Sequence, residues 1–322
     1  MRIREFIERK LANYGKMDSY FIYIRVSHMR RLLISFIGFY VRNFSFPFRG
    51  QKFLLHLLKY FQLLDHAFIK KTKAGFLMKL ANVDHIEREL FWYGAYEEKE
   101  GTMFINFVTP ECTVLDIGAN IGLYSLLTAH KEKECTVYAF EPSACTFNKL
   151  TYHIQLNHYN HIKPVHAAAG KQKEQLLLHL ASEQNRGMTG FKAAENATGT
   201  TELINVLPVD EFILQHNLQS VTLVKIDVEG YELQVLEGMK LLLATNRPVV
   251  AIEISGETLG RYDQSTQQVY DFFEQRNYIA YEAVAAQSLQ RIRTYKDCNL
   301  AFFIPSRQQL PAGISVIETE FA

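Results

Sequence analysis

Val114-Leu115-Asp116-Ile117-Gly118-Ala119-Asn120-Ile121-Gly122-Leu123-Tyr124-Ser125 decides the fold class of this chain. An apolar run ends in an acid, a glycine-rich turn follows, and helical spacing resumes. The pattern is a strand feeding a helix, and in a doubly wound sheet ligands bind where such a strand runs out. Gly118 is expected to let the backbone approach a ligand, and Gly122 to permit tight entry into the helix. Asp116 narrows the ligand. A carboxylate at a strand end suits the cationic amino group of a methionine moiety and repels a pyrophosphate, which takes helix N–H groups free of a nearby anion. The dinucleotide fingerprint GxGxxG also fails, because its second glycine falls at Asn120.

Outward from this stretch, strands and helices alternate. Thr136–Phe140, 162–168, Val221–Ile226 and Val249–Ile254 read as strands, and 122–130, 143–158, 231–244 and 265–275 as helices. Two last strands, 278–284 and 300–305, read as an antiparallel terminal pair. Such alternation predicts an α/β, doubly wound, mostly parallel seven-stranded sheet covered on both faces. This main domain runs over 111–310, with a polar insertion at about 170–215 that breaks the rhythm and is long enough to be functional. A tail follows at 311–322. Before it, 65–110 reads as an approach element: a hairpin turning at Ala74-Gly75, then a helix over 85–93 capped by Asp84 and ended near Gly94.

Charge divides the chain. Residues 1–80 hold 16 Lys/Arg and 4 Asp/Glu, the remainder 19 and 30. Residues 1–64 read as a basic, aromatic helical extension, broken near Phe46-Pro47-Phe48-Arg49-Gly50. Its apolar run, 31–41, is far shorter than the ~20 residues that span a bilayer. Flanking arginines and aromatics suit either a lid or subunit contact, or peripheral contact with an anionic membrane. The N-terminus has no apolar core followed by a small-residue cleavage site, so the cytoplasm, or the inner face of its membrane, is the expected location. Cys112, Cys135, Cys145 and Cys298 form no CxxC pair and are expected as reduced thiols. The acidic main domain argues against nucleic acid.

Two further segments carry chemistry. In Tyr138-Ala139-Phe140-Glu141-Pro142, Glu141 ends the second strand, where a carboxylate accepts hydrogen bonds from ribose hydroxyls, and Pro142 starts a helix with its φ preset. In Lys225-Ile226-Asp227-Val228-Glu229-Gly230, two carboxylates two residues apart on an extended segment point to one side, one to hold an acceptor and one to take its proton. His166 is a second candidate base. Asn185 and Arg186, in the insertion, are candidate acceptor contacts. Asp227 with Glu253 lacks a third ligand that the sequence places, so no metal is expected.

LDIGANIGLYS, AFEP and KIDVEGYE, in that order and spacing, resemble the FkbM family of methyltransferases over roughly 84–256, including GAYE at 94–97 and Leu207-Pro208-Val209-Asp210. The resemblance implies a class I, Rossmann-like fold and S-adenosyl-L-methionine as cofactor. It implies that Asp116, Gly118, Asn120, Gly122 and Glu141, with Ala119 and Pro142 beside them, line the cofactor. By the same resemblance Asp227 and Glu229 face the acceptor, a hydroxyl on a glycan or secondary metabolite. Residues 1–64 lie outside it. Two rivals remain: a catalytically silent cofactor-binding or scaffold module, and a nicotinamide-dependent oxidoreductase, which Asp116 and Asn120 disfavour.

Overall fold

The computed structural model describes residues 67–81, 84–182, 189–192 and 197–317. The chain divides into two units, Met1–Ala67 with Phe91–Tyr93, and Phe68–Leu90 with Gly94–Ala322. The second carries everything below apart from Phe91–Tyr93. The basic extension of 1–64, and with it the choice between lid and membrane contact, lies outside the described residues.

Strands β1 (Phe68–Lys71) and β2 (Leu77–Leu80) pair antiparallel around the turn at Gly75. Helix α1 (His85–Tyr93) starts where the Asp84 carboxylate accepts from the N–H groups of Ile86 and Glu87, and it ends at Gly94 in the left-handed region. Helix α2 (Glu98–Asn106) follows. The alternation then begins: β3 (Thr113–Ile117), α3 (Leu123–Lys131), β4 (Thr136–Phe140), α4 (Ala144–Leu156) and β5 (Ile162–Val165). The insertion contributes β6 (Ala168–Ala169), β7 (Glu174–Ala181) and β8 (Ala197–Leu207). The series resumes with α5 (Val209–Gln215), β9 (Val221–Ile226), α6 (Glu232–Glu237), α7 (Lys240–Thr245) and β10 (Val249–Ile254). It closes with α8 (Gly256–Gly260), α9 (Thr266–Glu274), β11 (Tyr278–Ala285), β12 (Ser288–Arg291), β13 (Cys298–Pro305) and β14 (Ser315–Ile317).

The main sheet has the order β14-β12-β11-β13-β10-β9-β3-β4-β5. The expected seven strands are all in it, and two short strands, β12 and β14, extend its edge to nine. From β5 through β10 every pairing is parallel, while β13 runs antiparallel to both β10 and β11. From β3 the chain moves outward through β4 to β5, then returns to place β9 on the other side of β3. Such a reversal opens a crevice at the carboxyl ends of the two strands. The strands beside it are apolar runs because helices cover both faces: Val114, Leu115, Ile117, Val224 and Ile226 are all fully buried. Asp116 and Lys225 interrupt those runs.

Three expectations needed correction here. The strand read over 162–168 stops at Val165, and Ala168–Ala169 joins β8 and β7 in a separate three-stranded sheet. The helix read over 231–244 breaks into α6 and α7 at Gly238-Met239, where the backbone carbonyl of Gly170 packs so closely that a Cβ on Gly238 would lie 1.9 Å from it. Cys112 and Cys135, expected as free thiols, are joined by a disulfide with their Cα atoms 4.6 Å apart. Each lies one residue before a strand, and the register Thr113↔Thr136 sets them side by side. Nothing in their spacing of 23 residues carries that information. No helix among the described residues is long and apolar enough to cross a membrane.

Candidate active site

The crevice is built from backbone before side chains. After β3 the chain turns at Gly118 (φ 78°), and the N–H groups of Gly118 and Ala119 both donate to the carbonyl of Phe140, tying this loop to the end of β4. A Cβ on Gly118 would stand 1.8 Å from the carbonyl oxygen of Asp227. The close approach that demands glycine is therefore to the neighbouring strand rather than to a ligand. Asn120 (φ 51°) turns its N–H onto Glu141 Oε2 at 2.9 Å, and Ser143 N–H reaches Oε1 at 2.9 Å. Burial pushes the Glu141 carboxyl up to about 7, against the pull of these two N–H groups. Each carboxylate oxygen keeps a lone pair for a further donor.

Gly118, Asn120, Glu141 and Pro142 line the cavity; Asp116, Ala119 and Gly122 do not. Asp116 is 1% exposed and lies beneath the loop, its Oδ2 accepting from Ser125 Oγ at 2.6 Å. Its side chain leaves a central strand toward Ser125 in the helix layer. Its Oδ1 has no hydrogen-bond partner. Gly122 (φ 94°) is the N-cap of α3, with its Cα turned to Leu150 of α4. Pro142 stands two residues ahead of α4, whose N-cap is Ser143.

At the opposite wall, Asp227, Glu229 and Glu253 converge, each offering one oxygen within 4.8 Å of the others. The convergence does not come from an extended segment. Strand β9 stops at Ile226, and Glu229 (φ 56°) and Gly230 (φ 101°) make a left-handed turn that folds the Glu229 carboxylate back beside Asp227. Glu253, at the end of β10, completes the set and supplies the third oxygen ligand that the sequence did not place. Three carboxylates this close cannot all ionise without a cation. Lys225, 4% exposed, supplies one: its Nζ donates to Asp227 Oδ2 at 2.9 Å and to the Gly118 carbonyl at 3.2 Å. A proton supplies the rest. Desolvation works to raise Asp227, but the Lys225 ammonium and a proton donated by Glu253 hold it below the usual carboxylate range. Desolvation and the Asp227 charge push Glu253 up to about 11 and Glu229 up to about 8.

Several wall residues were not singled out from sequence. Tyr96 and Glu97, the last two residues of GAYE, face the acid cluster. Glu97 sits in the left-handed region (φ 47°) and its Oε2 accepts from Tyr124 OH at 2.8 Å. Lys225 had a readable signal: a lysine inside a buried apolar strand must be paired. The insertion also contributes, since β7 and β8 form an antiparallel hairpin whose Leu178, with Thr189, Gly190 and Phe191, closes one side of the cavity. Asn185 and Arg186 lie outside the described residues. His166 is exposed and stacks on Phe147 at 4.5 Å, away from the cavity wall, which removes it as a base.

Among the described lining residues there are five carboxylates, Glu97, Glu141, Asp227, Glu229 and Glu253, and no Lys, Arg or His. A pyrophosphate would meet no cation among these residues. A ligand with a ribose for Glu141 and a positive centre for the acid cluster fits this donor and acceptor set, as S-adenosylmethionine does.

A family model described as the methyltransferase FkbM domain matches residues 116–280. A protein named Methyltransferase 1 from Beauveria bassiana is 25% identical over 205 residues, which cover 57% of this chain and 76% of that one. Hexuronic acid methyltransferase AglP from Haloferax volcanii is 28% identical over 146 residues, 42% of this chain and about half (54%) of that one. The crystal structure of methyltransferase FkbM from Methylobacillus flagellatus superposes with a TM-score of 0.38 at 17% identity, covering 68% of this chain and 52% of that one.

Proposed function

Because this chain belongs to the FkbM methyltransferase family, we propose that it methylates a hydroxyl group on a glycan or secondary metabolite. The observation that carries this reading is the three-carboxylate wall, Asp227, Glu229 and Glu253, facing the cofactor half of one cavity. Bound S-adenosylmethionine supplies a methyl carbon made electrophilic by its sulfonium. The protein supplies alignment and a place for a proton. Glu141 accepts from the ribose hydroxyls, the backbone of Gly118 to Asn120 with Pro142 flanks the nucleoside, and Asp116 holds the loop from beneath through Ser125. Asp227, kept ionised by Lys225, accepts a hydrogen bond from the acceptor hydroxyl and orients it. A hydroxyl attacks poorly until its proton leaves, and Glu229 takes that proton on a carboxylate oxygen, its pKa of about 8 lying near working pH. Retention of every one of these side chains favours an active enzyme over a silent binding module.

Calorimetric titration with S-adenosylhomocysteine tests the cofactor half: binding to the wild type and none of NADH is expected, and the reverse would sink the reading. For the acceptor half, Glu229→Gln and Asp227→Asn are each expected to slow turnover by about 10²-fold or more while S-adenosylhomocysteine affinity holds. Unchanged turnover in both would remove the assigned roles.

Residues 1–64 hold 12 Lys/Arg against 3 Asp/Glu, an excess that supports peripheral contact with anionic lipid through them. Co-sedimentation with phosphatidylserine vesicles, lost on deleting 1–64, is the expected result; equal sedimentation with neutral vesicles would remove the idea.

A further inference from the structure

Glu253 lines two spaces. One face borders the cofactor cavity; the other borders a polar cleft of about 400 Å³, against about 130 Å³ for the cavity itself. The cleft lies at the carboxyl edge of the sheet, walled by Ser255 after β10, Glu282 on β11, Asp297 and Asn299 at the start of β13, and Lys99 on α2. The pairing of β10 with β13 is irregular at this point. Ile252 faces Ala301 and Ile254 faces Cys298, so two steps along β10 meet three along β13. Bulges of this kind re-aim side chains and cluster beside active sites. Here the bulge leaves Glu253 as the one half-buried residue of an otherwise buried strand, across from the Asn299-Leu300 step of β13.

Resting on the methyltransferase reading above, we propose that this cleft is the acceptor site and that it takes an uncharged or cationic polyhydroxylated acceptor, rejecting one with a carboxylate or phosphate near the reacting hydroxyl. The cleft's wall offers the hydroxyl, amide and carboxylate groups that a sugar's hydroxyls need, and little apolar surface. Its charge sets the class. Of its carboxylates, Glu282 is paired with Lys296 at 2.6 Å and Glu100 with Lys99 at 3.2 Å. Lys99 is the one cation on the described wall and is already engaged, Asp297 accepts from Gly256 N–H, and Glu253 keeps its proton toward Asp227. Beyond Glu253 stand the other carboxylates of the cavity, with no cation among its described lining residues. A uronate entering this space would be desolvated with no free cation on the described walls to pair with it. A neutral sugar, with Glu253 at the boundary, brings its hydroxyl to Asp227 and Glu229.

The test uses the full chain saturated with S-adenosylhomocysteine, and two probes, methyl α-glucopyranoside and methyl α-glucuronopyranoside, titrated by ligand-observed NMR. The glucoside is expected to bind at least about tenfold more tightly than the glucuronoside. Asn299→Trp, which fills the cleft, should weaken the glucoside by about tenfold or more with S-adenosylhomocysteine affinity kept within about twofold. Asn299→Arg, which adds a cation, should narrow the gap between the two probes and serves if the tryptophan variant does not fold. Equal or tighter binding of the glucuronoside, binding indifferent to both variants, or no binding of either probe overturns the proposal. Failure of S-adenosylhomocysteine to bind the wild type would instead strike the reading on which it rests.

Discussion

Lys225 holds the site's electrostatics together. Burial works against its charge, yet Asp227 and Asp116 on either side keep it protonated. Removing it leaves Asp227 beside Glu229 and Glu253 with no counter-charge. In Lys225→Met the Asp227 pKa should rise, so the acid limb of the turnover–pH profile moves upward; Lys225→Arg should restore most of the wild-type profile. A profile unmoved by the methionine would show that Asp227 does not depend on Lys225. Glu141 gives a second residue-scale prediction. Its folded pKa is raised to about 7 by burial, and its ionised form accepts best from ribose hydroxyls. S-adenosylhomocysteine affinity should therefore be full above that value and fall as pH drops through it, with proton release on binding near neutrality. Glu141→Gln should bind more weakly and with a flat profile. At this scale the sequence was informative wherever residue type and position agree, as for Glu141 or Asn120. It was silent on the Asp116–Ser125 bond because a strand-end acid reads alike whether it points off the strand or into the helix layer.

Among the elements, the turn after β9 and the bulge between β10 and β13 decide the chemistry. Sequence reading brought Asp227 and Glu229 to one side by the two-residue period of a strand, whereas the chain does so with a left-handed turn at Glu229-Gly230. Period-two reasoning applies only while the backbone stays extended, and at a strand's end it has stopped applying. Glu253 is a weaker signal still, because a bulge is a property of two strands and neither carries it alone. Helix ends, by contrast, are written locally. Ser265 and Gln268 form a capping box on α9, each side chain bonded to the other's backbone N–H. Ser265→Ala should lower stability by about 1 kcal/mol, read as a lower denaturant midpoint with unchanged slope and unchanged cofactor affinity. A loss of affinity would mean that α9 is coupled to the site beyond its packing.

For the molecule as a whole, the disulfide provides the check. Thiol titration of protein unfolded without reductant should find the two cysteines outside the disulfide, Cys145 and Cys298, and all four after reduction. Reduction should cost about 3 kcal/mol of stability, the typical value for a loop of this size. Four thiols before reduction would mean that strand pairing holds Cys112 and Cys135 together without a bond. That pairing also marks the boundary between what each level of description decides. By itself the sequence determined most elements of the main sheet, their order, the doubly wound class and the cofactor strand. Each of these follows from periodicity, turn chemistry and caps acting over a few neighbouring residues. Only the tertiary structure decided which strands adjoin, and so which distant groups meet: Cys112 with Cys135, Lys225 with Gly118, and Glu253 with Asp227. Those meetings depend on long-range register and on the burial of charge, and a local stretch of chain specifies neither.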